Sequence, residues 1–95
     1  MLRTDMELRH LRYFISVAET ENVTRAASLL HVSQPSLSRQ IRDLEDEIGV
    51  ELFERGPRAL ALTEAGRAFL DEARAVMRRL DEAVRVARES AEGGC

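Results

Sequence analysis

The last third of this sequence carries one helical pattern that the rest of the chain is too small to cover. Phe69, Ala73, Val76, Leu80, Ala83 and Ala87 recur in alternating steps of four and three, and Leu70, Met77 and Val84 broaden the stripe. Thr63 is placed to cap this helix, which runs to about Ser90. At 1.5 Å per residue its roughly 28 residues span about 42 Å, more than the width expected of the body before it. A second helix must therefore cover the stripe, and these nine residues form the predicted dimer interface. Ala73, Ala83 and Ala87 make the seam thin, because alanine buries far less apolar surface than leucine, so the dimer should dissociate at low concentration. The charge pairs Arg67/Asp71, Asp81/Arg85 and Arg85/Glu89 fit the helix's solvated face.

Ahead of this helix the apolar spacing writes three more. Leu8, Leu11, Phe14, Ile15 and Ala18 predict a first helix over about 7–20. Asn22 or Thr24 then caps a short second helix, Arg25–Leu30, whose Ala26-Ala27 pair permits close helix contact. His31-Val32 makes a tight connection. Ser33 follows as an N-cap with Pro35 in the first turn, where its missing N–H costs no helical bond. Leu37, Ile41, Leu44 and Ile48 give the third helix its stripe, and Gly49 ends it in a conformation glycine adopts readily. Two helices joined by so short a turn are a helix-turn-helix unit. Two strand-like runs, Glu51–Glu54 and Ala59–Leu62, flank Arg55-Gly56-Pro57-Arg58, which reads as a hairpin turn and hence a wing.

The third helix shows what such a head would do. With Leu37 set at zero and 100° per residue, the face opposite the stripe carries Pro35, Arg39, Arg42 and Asp46, with Gln34 and Ser38 on one flank and Ser36 on the other. Its exposed amino-terminal half is thus amide, hydroxyl and guanidinium, suited to entering a DNA major groove by the first turns, where the helix dipole favours phosphate. Arg39 has the fork for guanine O6 and N7, Gln34 for adenine, Ser38 for either role, and Pro35 an apolar edge for a thymine methyl. Ser33, Ser36 and Arg42 are better placed for phosphates. Ser33 also reads simply as a cap, and Arg42 as a solvated charge. Arg58 and Arg55, in the wing, are candidates for a minor groove or its backbone, against a plain reading as solvated turn residues.

Composition narrows the alternatives. The net charge of −3 argues against DNA only if it is evenly spread. From Arg9 to Arg42 five arginines face only Glu19 and Glu21, while the acid gathers in Asp43–Glu54 and Asp71–Glu92, which leaves room for one positive face. No apolar run approaches the roughly 20 residues of a membrane span, and no basic-then-apolar leader opens the chain, which predicts a cytoplasmic protein. Cys95, His10 and His31 have no metal-ligand spacing, and no phosphate loop or nucleophile motif is present. No cofactor, metal or catalytic residue is therefore expected, and His31 reads as a turn residue. A protein-interaction module, a winged helix with a coiled-coil handle, is the alternative that the acidic total favours.

Several linked motifs resemble a known family. Glu7-Leu8-Arg9-His10-Leu11-Arg12-Tyr13-Phe14, Thr24-Arg25-Ala26-Ala27-Ser28-Leu29-Leu30 and Val32-Ser33-Gln34-Pro35-Ser36-Leu37-Ser38-Arg39-Gln40-Ile41 follow one another in order. Leu44-Glu45, Gly49-Val50-Glu51-Leu52-Phe53-Glu54-Arg55 and Leu62-Thr63-Glu64-Ala65-Gly66 complete the series. Together they resemble the amino-terminal part of LysR-type transcriptional regulators over roughly residues 6–90. The resemblance implies a mainly α fold: a winged helix-turn-helix of three helices and a two-stranded wing, then a long dimerising linker helix. It implies two recognition helices reading an interrupted palindrome in double-stranded DNA. Base contacts would fall on Gln34, Pro35, Ser38 and Arg39, with Ser33 and Thr24 near phosphate and Arg58 in the wing. On this reading residues 1–5 are an extension, 6–62 the DNA-binding domain, 63–90 the linker helix and 91–95 a tail. The two-lobed domain that normally follows, binding a small inducer and building a tetramer, is absent from the chain.

Overall fold

A computed structural model describes residues 6–56 and 60–93. Its order is α1 (Leu8–Thr20), α2 (Val23–Leu30), α3 (Gln34–Ile48), β1 (Phe53–Arg55), β2 (Leu60–Leu62) and α4 (Glu64–Gly93). The expected architecture is present, and the differences lie at element ends.

In α1 the buried residues are Leu11, Phe14, Val17 and Ala18. Leu8, expected in this stripe, is 42% exposed, because it opens the helix at the edge of the head beside the surface of α4. Val17 takes an inward position that the sequence pattern did not assign. Asn22, not Thr24, caps α2: its Oδ1 accepts the Arg25 N–H at 2.9 Å, so the helix starts two residues earlier than expected. Ala26 and Ala27 are buried, as close helix contact requires. The connection to α3 is a left-handed residue, His31 (φ 60°), with the His31 N–H on the Ser28 carbonyl at 3.3 Å and the Val32 N–H on the Ala27 carbonyl at 3.0 Å. This Schellman arrangement satisfies the last carbonyls of α2 and turns the chain within three residues. Ser33 Oγ then accepts the Ser36 N–H at 3.2 Å and opens α3. Gly49 (φ 88°) closes it, donating its N–H to Glu45 O at 2.7 Å.

The wing is shifted relative to expectation. Phe53 pairs with Leu62, Glu54 with Ala61 and Arg55 with Leu60 in an antiparallel ladder. Glu51 and Leu52 stay outside β1 because their backbone groups are already engaged. The Leu52 N–H is held by the Glu45 carboxylate at 2.7 Å, and the Glu51 and Leu52 carbonyls are held by Thr63. Arg58 and the rest of the turn, 57–59, lie outside the described residues.

Phe14 sits at the centre of the core, with ring centroids 5.4 Å from Phe53 and 5.1 Å from Phe69. One aromatic side chain thus ties α1 to the wing and to α4. Phe14, Leu37, Leu52 and Val17 are the largest fully enclosed side chains, each contributing roughly 1.5–3 kcal/mol by leaving water.

Thr63 sets the start of α4. Its Oγ1 accepts the Gly66 N–H at 2.9 Å and donates to Glu51 O at 2.8 Å, and its own N–H reaches Leu52 O at 3.0 Å. Gly66 is needed because a Cβ there would overlap the Leu52 carbonyl oxygen, a backbone atom with no rotamer to escape into. α4 has 30 residues, about 45 Å of helix, in a molecule 59 × 33 × 21 Å. Here the expected seam divides. Leu70 and Ala73, predicted to meet a partner, are buried in this protomer's own core, and Phe69 and Met77 pack against that core. The head reaches further along α4 than the sequence suggested, because the Thr63–Leu52 junction lays the first turns of the helix across α1. Val76 and Val84 are exposed, and every residue from 81 to 93 is open to solvent.

Candidate nucleic-acid interface

The start of α3 combines a capped helix end with a polar front. Ser33, Gln34, Pro35, Ser36, Arg39 and Arg42 are exposed and Ser38 is half-buried, while Leu37 and Ile41 on the other side anchor the helix. Gln34 Nε2 donates to Ser38 Oγ at 3.1 Å, so two of the predicted base-reading groups are held together one turn apart. Arg39 and Arg42 make no ion pair with any described residue. Both guanidinium groups are therefore available to an outside acceptor, and the free N–H groups of the first turn add a dipole of the same sign. Thr24 is exposed in the first turn of α2, and no hydrogen bond joins it to the other candidates among the described residues.

Arg55 is differently placed. Its guanidinium meets the Glu45 carboxylate twice, Nη2 to Oε1 at 2.8 Å and Nη1 to Oε2 at 3.4 Å, and its side chain is 34% exposed. Its first partner is thus within the chain, and only an outer edge remains open. Arg55 and Arg42 do line one open groove, of about 700 Å³, together with Glu45, Asp46, Gly49, Val50 and Glu51.

Glu45 is the residue beside this face whose contacts the sequence reading did not identify. It is the buried charged residue of the described core, and its Oε2 also accepts the N–H groups of Leu52 at 2.7 Å and Phe53 at 3.2 Å. Burial pushes its carboxyl pKa up, but the Arg55 guanidinium and the two backbone donors outweigh burial and hold it below its ordinary value. The carboxylate therefore stays charged and fastens α3 to β1. A signal was available: Glu45 lies 80° from Leu37 on the helical wheel, at the edge of the buried stripe.

A second open face lies on α4. Ala75, Val76, Leu80 and Ala83 line an apolar groove of about 580 Å³, completed by Leu8 from α1 and rimmed by Glu72 and Arg79. Of the expected surface pairs, Arg85–Glu89 forms at 3.1 Å. Arg85 also leans toward Glu82, at 4.0 Å, and Arg67/Asp71 is not closed. Among the described residues no group of three His, Cys, Asp or Glu side chains is placed to hold a metal ion, and no helix is long and apolar enough to cross a membrane.

Three helices, a two-stranded wing and a long fourth helix, with the polar front of α3 held outward, define a winged helix-turn-helix. Residues 8–67 match the family described as bacterial regulatory helix-turn-helix protein, lysR family, and the chain belongs to that family. It is 58% identical over 78 residues to the Hca operon transcriptional activator HcaR of Escherichia coli K12, an alignment covering 82% of this chain and 26% of HcaR. The chain thus spans about a quarter of that relative. Its fold is similar to the BenM DNA-binding domain solved as a complex with catB site 1 DNA, with a TM-score of 0.90, 43% identity and coverage of 95% and 97% of the two chains. It is also similar to full-length CbnR complexed with its target DNA, with a TM-score of 0.87, 46% identity and coverage of 93% of this chain and 31% of CbnR.

Proposed function

We propose that this chain is the operator-reading part of a LysR-type transcriptional regulator, binding double-stranded DNA as a two-fold dimer. The observation that carries the reading is the exposed amino-terminal half of α3, where Ser33, Gln34, Pro35, Ser38 and two arginines with no ion pair among the described residues follow a capped helix end. The likeness to BenM and CbnR structures that contain DNA supports it. Gln34, Pro35, Ser38 and Arg39 read base edges in the major groove, Arg39 supplying the bidentate contact to guanine. Ser33, Ser36, Arg42 and Thr24 meet phosphates and set the register. Arg58 reaches the flanking minor groove, and Arg55 acts mainly through Glu45.

The dimer forms through the part of α4 that the head leaves open. Val76, Leu80, Ala83, Val84 and Ala87 meet the same residues of a second protomer, with Leu8 at the margin, and each protomer then delivers one α3 to one half of an interrupted palindrome. Residues 6–62 act as the reading head and α4 as the linker, which runs on to Gly93, past the end near Ser90 that the sequence suggested. The work is binding, not catalysis, and it takes place in the cytoplasm on the bacterial nucleoid. In the longer protein a further domain binds a small inducer and builds a tetramer.

Fluorescence anisotropy with duplexes selected from a randomised library tests the reading. Preference for paired half-sites over random duplex, weakening steeply with salt, is the expected result. No binding at low salt by a folded dimer would overturn it and favour a protein-interaction module.

A further inference from the structure

We propose that Glu45 is a positioning residue for operator recognition: by fastening the reading helix to the linker helix, it sets the spacing of half-sites that the dimer accepts. The inference rests on the DNA-binding reading above and concerns geometry within each protomer.

In a two-fold dimer the separation of the two α3 helices depends on two quantities. One is the register of α4 against its partner. The other is the angle between α3 and α4 inside one protomer. α3 and α4 do not pack extensively on each other; each packs on α1. Apolar packing of that kind is non-directional, so hydrogen bonds add what direction the link has.

The directional link runs through Glu51–Phe53. From the α3 side, the Glu45 carboxylate takes the N–H groups of Leu52 and Phe53 at 2.7 and 3.2 Å, with Arg55 closing the fork at 2.8 Å. From the α4 side, Thr63 takes the two preceding carbonyls, with its N–H on Leu52 O at 3.0 Å and its Oγ1 on Glu51 O at 2.8 Å. That hydroxyl simultaneously caps α4 by accepting the Gly66 N–H at 2.9 Å. Both faces of one peptide segment are thus claimed, one by each helix. Gly66 brings α4 so close to the Leu52 carbonyl that no side chain could act as a spacer.

The leverage is large. From Thr63 to Ala83 is about 30 Å along α4. A swing of about 10° at the junction moves the head by roughly 5 Å, more than one 3.4 Å base-pair step. A junction that loosens by this amount lets one dimer reach neighbouring spacings.

The test compares wild type, Glu45→Gln and Thr63→Val on duplexes selected for the wild-type protein. The half-site separation is changed by one base pair in either direction, and a single-half-site duplex serves as reference. Glutamine keeps the shape of Glu45 but not the charge or the double acceptor toward Arg55. Valine removes the Thr63 hydroxyl at the opposite end of the same link. Wild type should lose at least tenfold in affinity per base pair of misplacement. Each variant should reduce that ratio to under threefold, with single-half-site affinity within about twofold of wild type. An unchanged ratio, with affinity lowered uniformly at every spacing, would overturn the proposal and leave DNA binding intact. Absence of any duplex preference in the wild type would overturn the proposal together with the function on which it rests. If Glu45→Gln does not fold, the Thr63→Val ratio decides.

Discussion

α3 and α4 bury one side in the same core and leave opposite kinds of surface open. α3 holds Leu37, Ile41 and Leu44 inward and presents hydroxyls, an amide and two arginines with no ion pair among the described residues. α4 holds Gly66, Leu70 and Ala73 inward and presents Val76, Leu80, Ala83 and Val84. A polar face with free donors remains well hydrated until a polyanion displaces water and counterions. An apolar face gains by being covered regardless of salt. On the proposed function the pair of helices separates reading from pairing, and what is done to one face should leave the other's task largely intact.

The largest expected effect comes from breaking the apolar face. Leu80→Glu removes two leucines and adds two charges at a symmetric seam, which costs about 3–6 kcal/mol and weakens the dimer by more than a hundredfold. Sedimentation velocity should show monomers with unchanged helix content by circular dichroism. Arg39→Ala is the matching test on the polar face. It should weaken selected-site binding by about ten- to a hundredfold per half-site, the roughly 1–3 kcal/mol of one bidentate base contact in each protomer, with little change on random duplex or in sedimentation. Equal loss on both duplexes would remove Arg39 from base reading.

Glu45 sharpens the comparison because it belongs to neither open face. Glu45→Gln should cost about 1–3 kcal/mol of stability at neutral pH, measured by urea unfolding. Because its native carboxyl pKa is held below the ordinary value, the charged form's contribution is complete above the unfolded value of about 4.3. It is lost as pH falls through the lower native pKa. Wild type and variant should therefore converge in acid and differ by a constant amount from about pH 6 upward. The smallest effects separate capping from contact. Asn22→Ala and Ser33→Ala should each cost about 1 kcal/mol of stability, but only Ser33→Ala should also weaken DNA binding, by a few fold. Equal DNA affinities in the two variants would leave Ser33 a cap alone.

The elements were legible because their signals are local. Apolar spacing marks each helix, Ser33 and Gly49 bound α3, and the turn residues between Glu54 and Leu60 mark the wing. What stayed hidden depends on which parts of the chain meet. Glu45 stands in the acidic run Asp43–Glu47 and resembles its solvated neighbours, and its partners lie seven to ten residues later, across the turn at Gly49. The reason for Gly66 is a carbonyl fourteen residues earlier, which no local rule identifies. The stripe of α4 was visible as one continuous seam. Its division between Leu70 and Ala73, covered by the head, and Leu80 and Ala83, left open, follows from how far the head extends along the helix.

The most direct test of the central claim is sedimentation velocity of the protein with a labelled duplex bearing paired half-sites, at two salt concentrations. Two protomers per duplex are expected, assembled at low salt and lost from the DNA at high salt while the dimer itself persists. One protomer per duplex, or a folded dimer that leaves the DNA free at low salt, would contradict the assignment of α3 to DNA and α4 to a second copy.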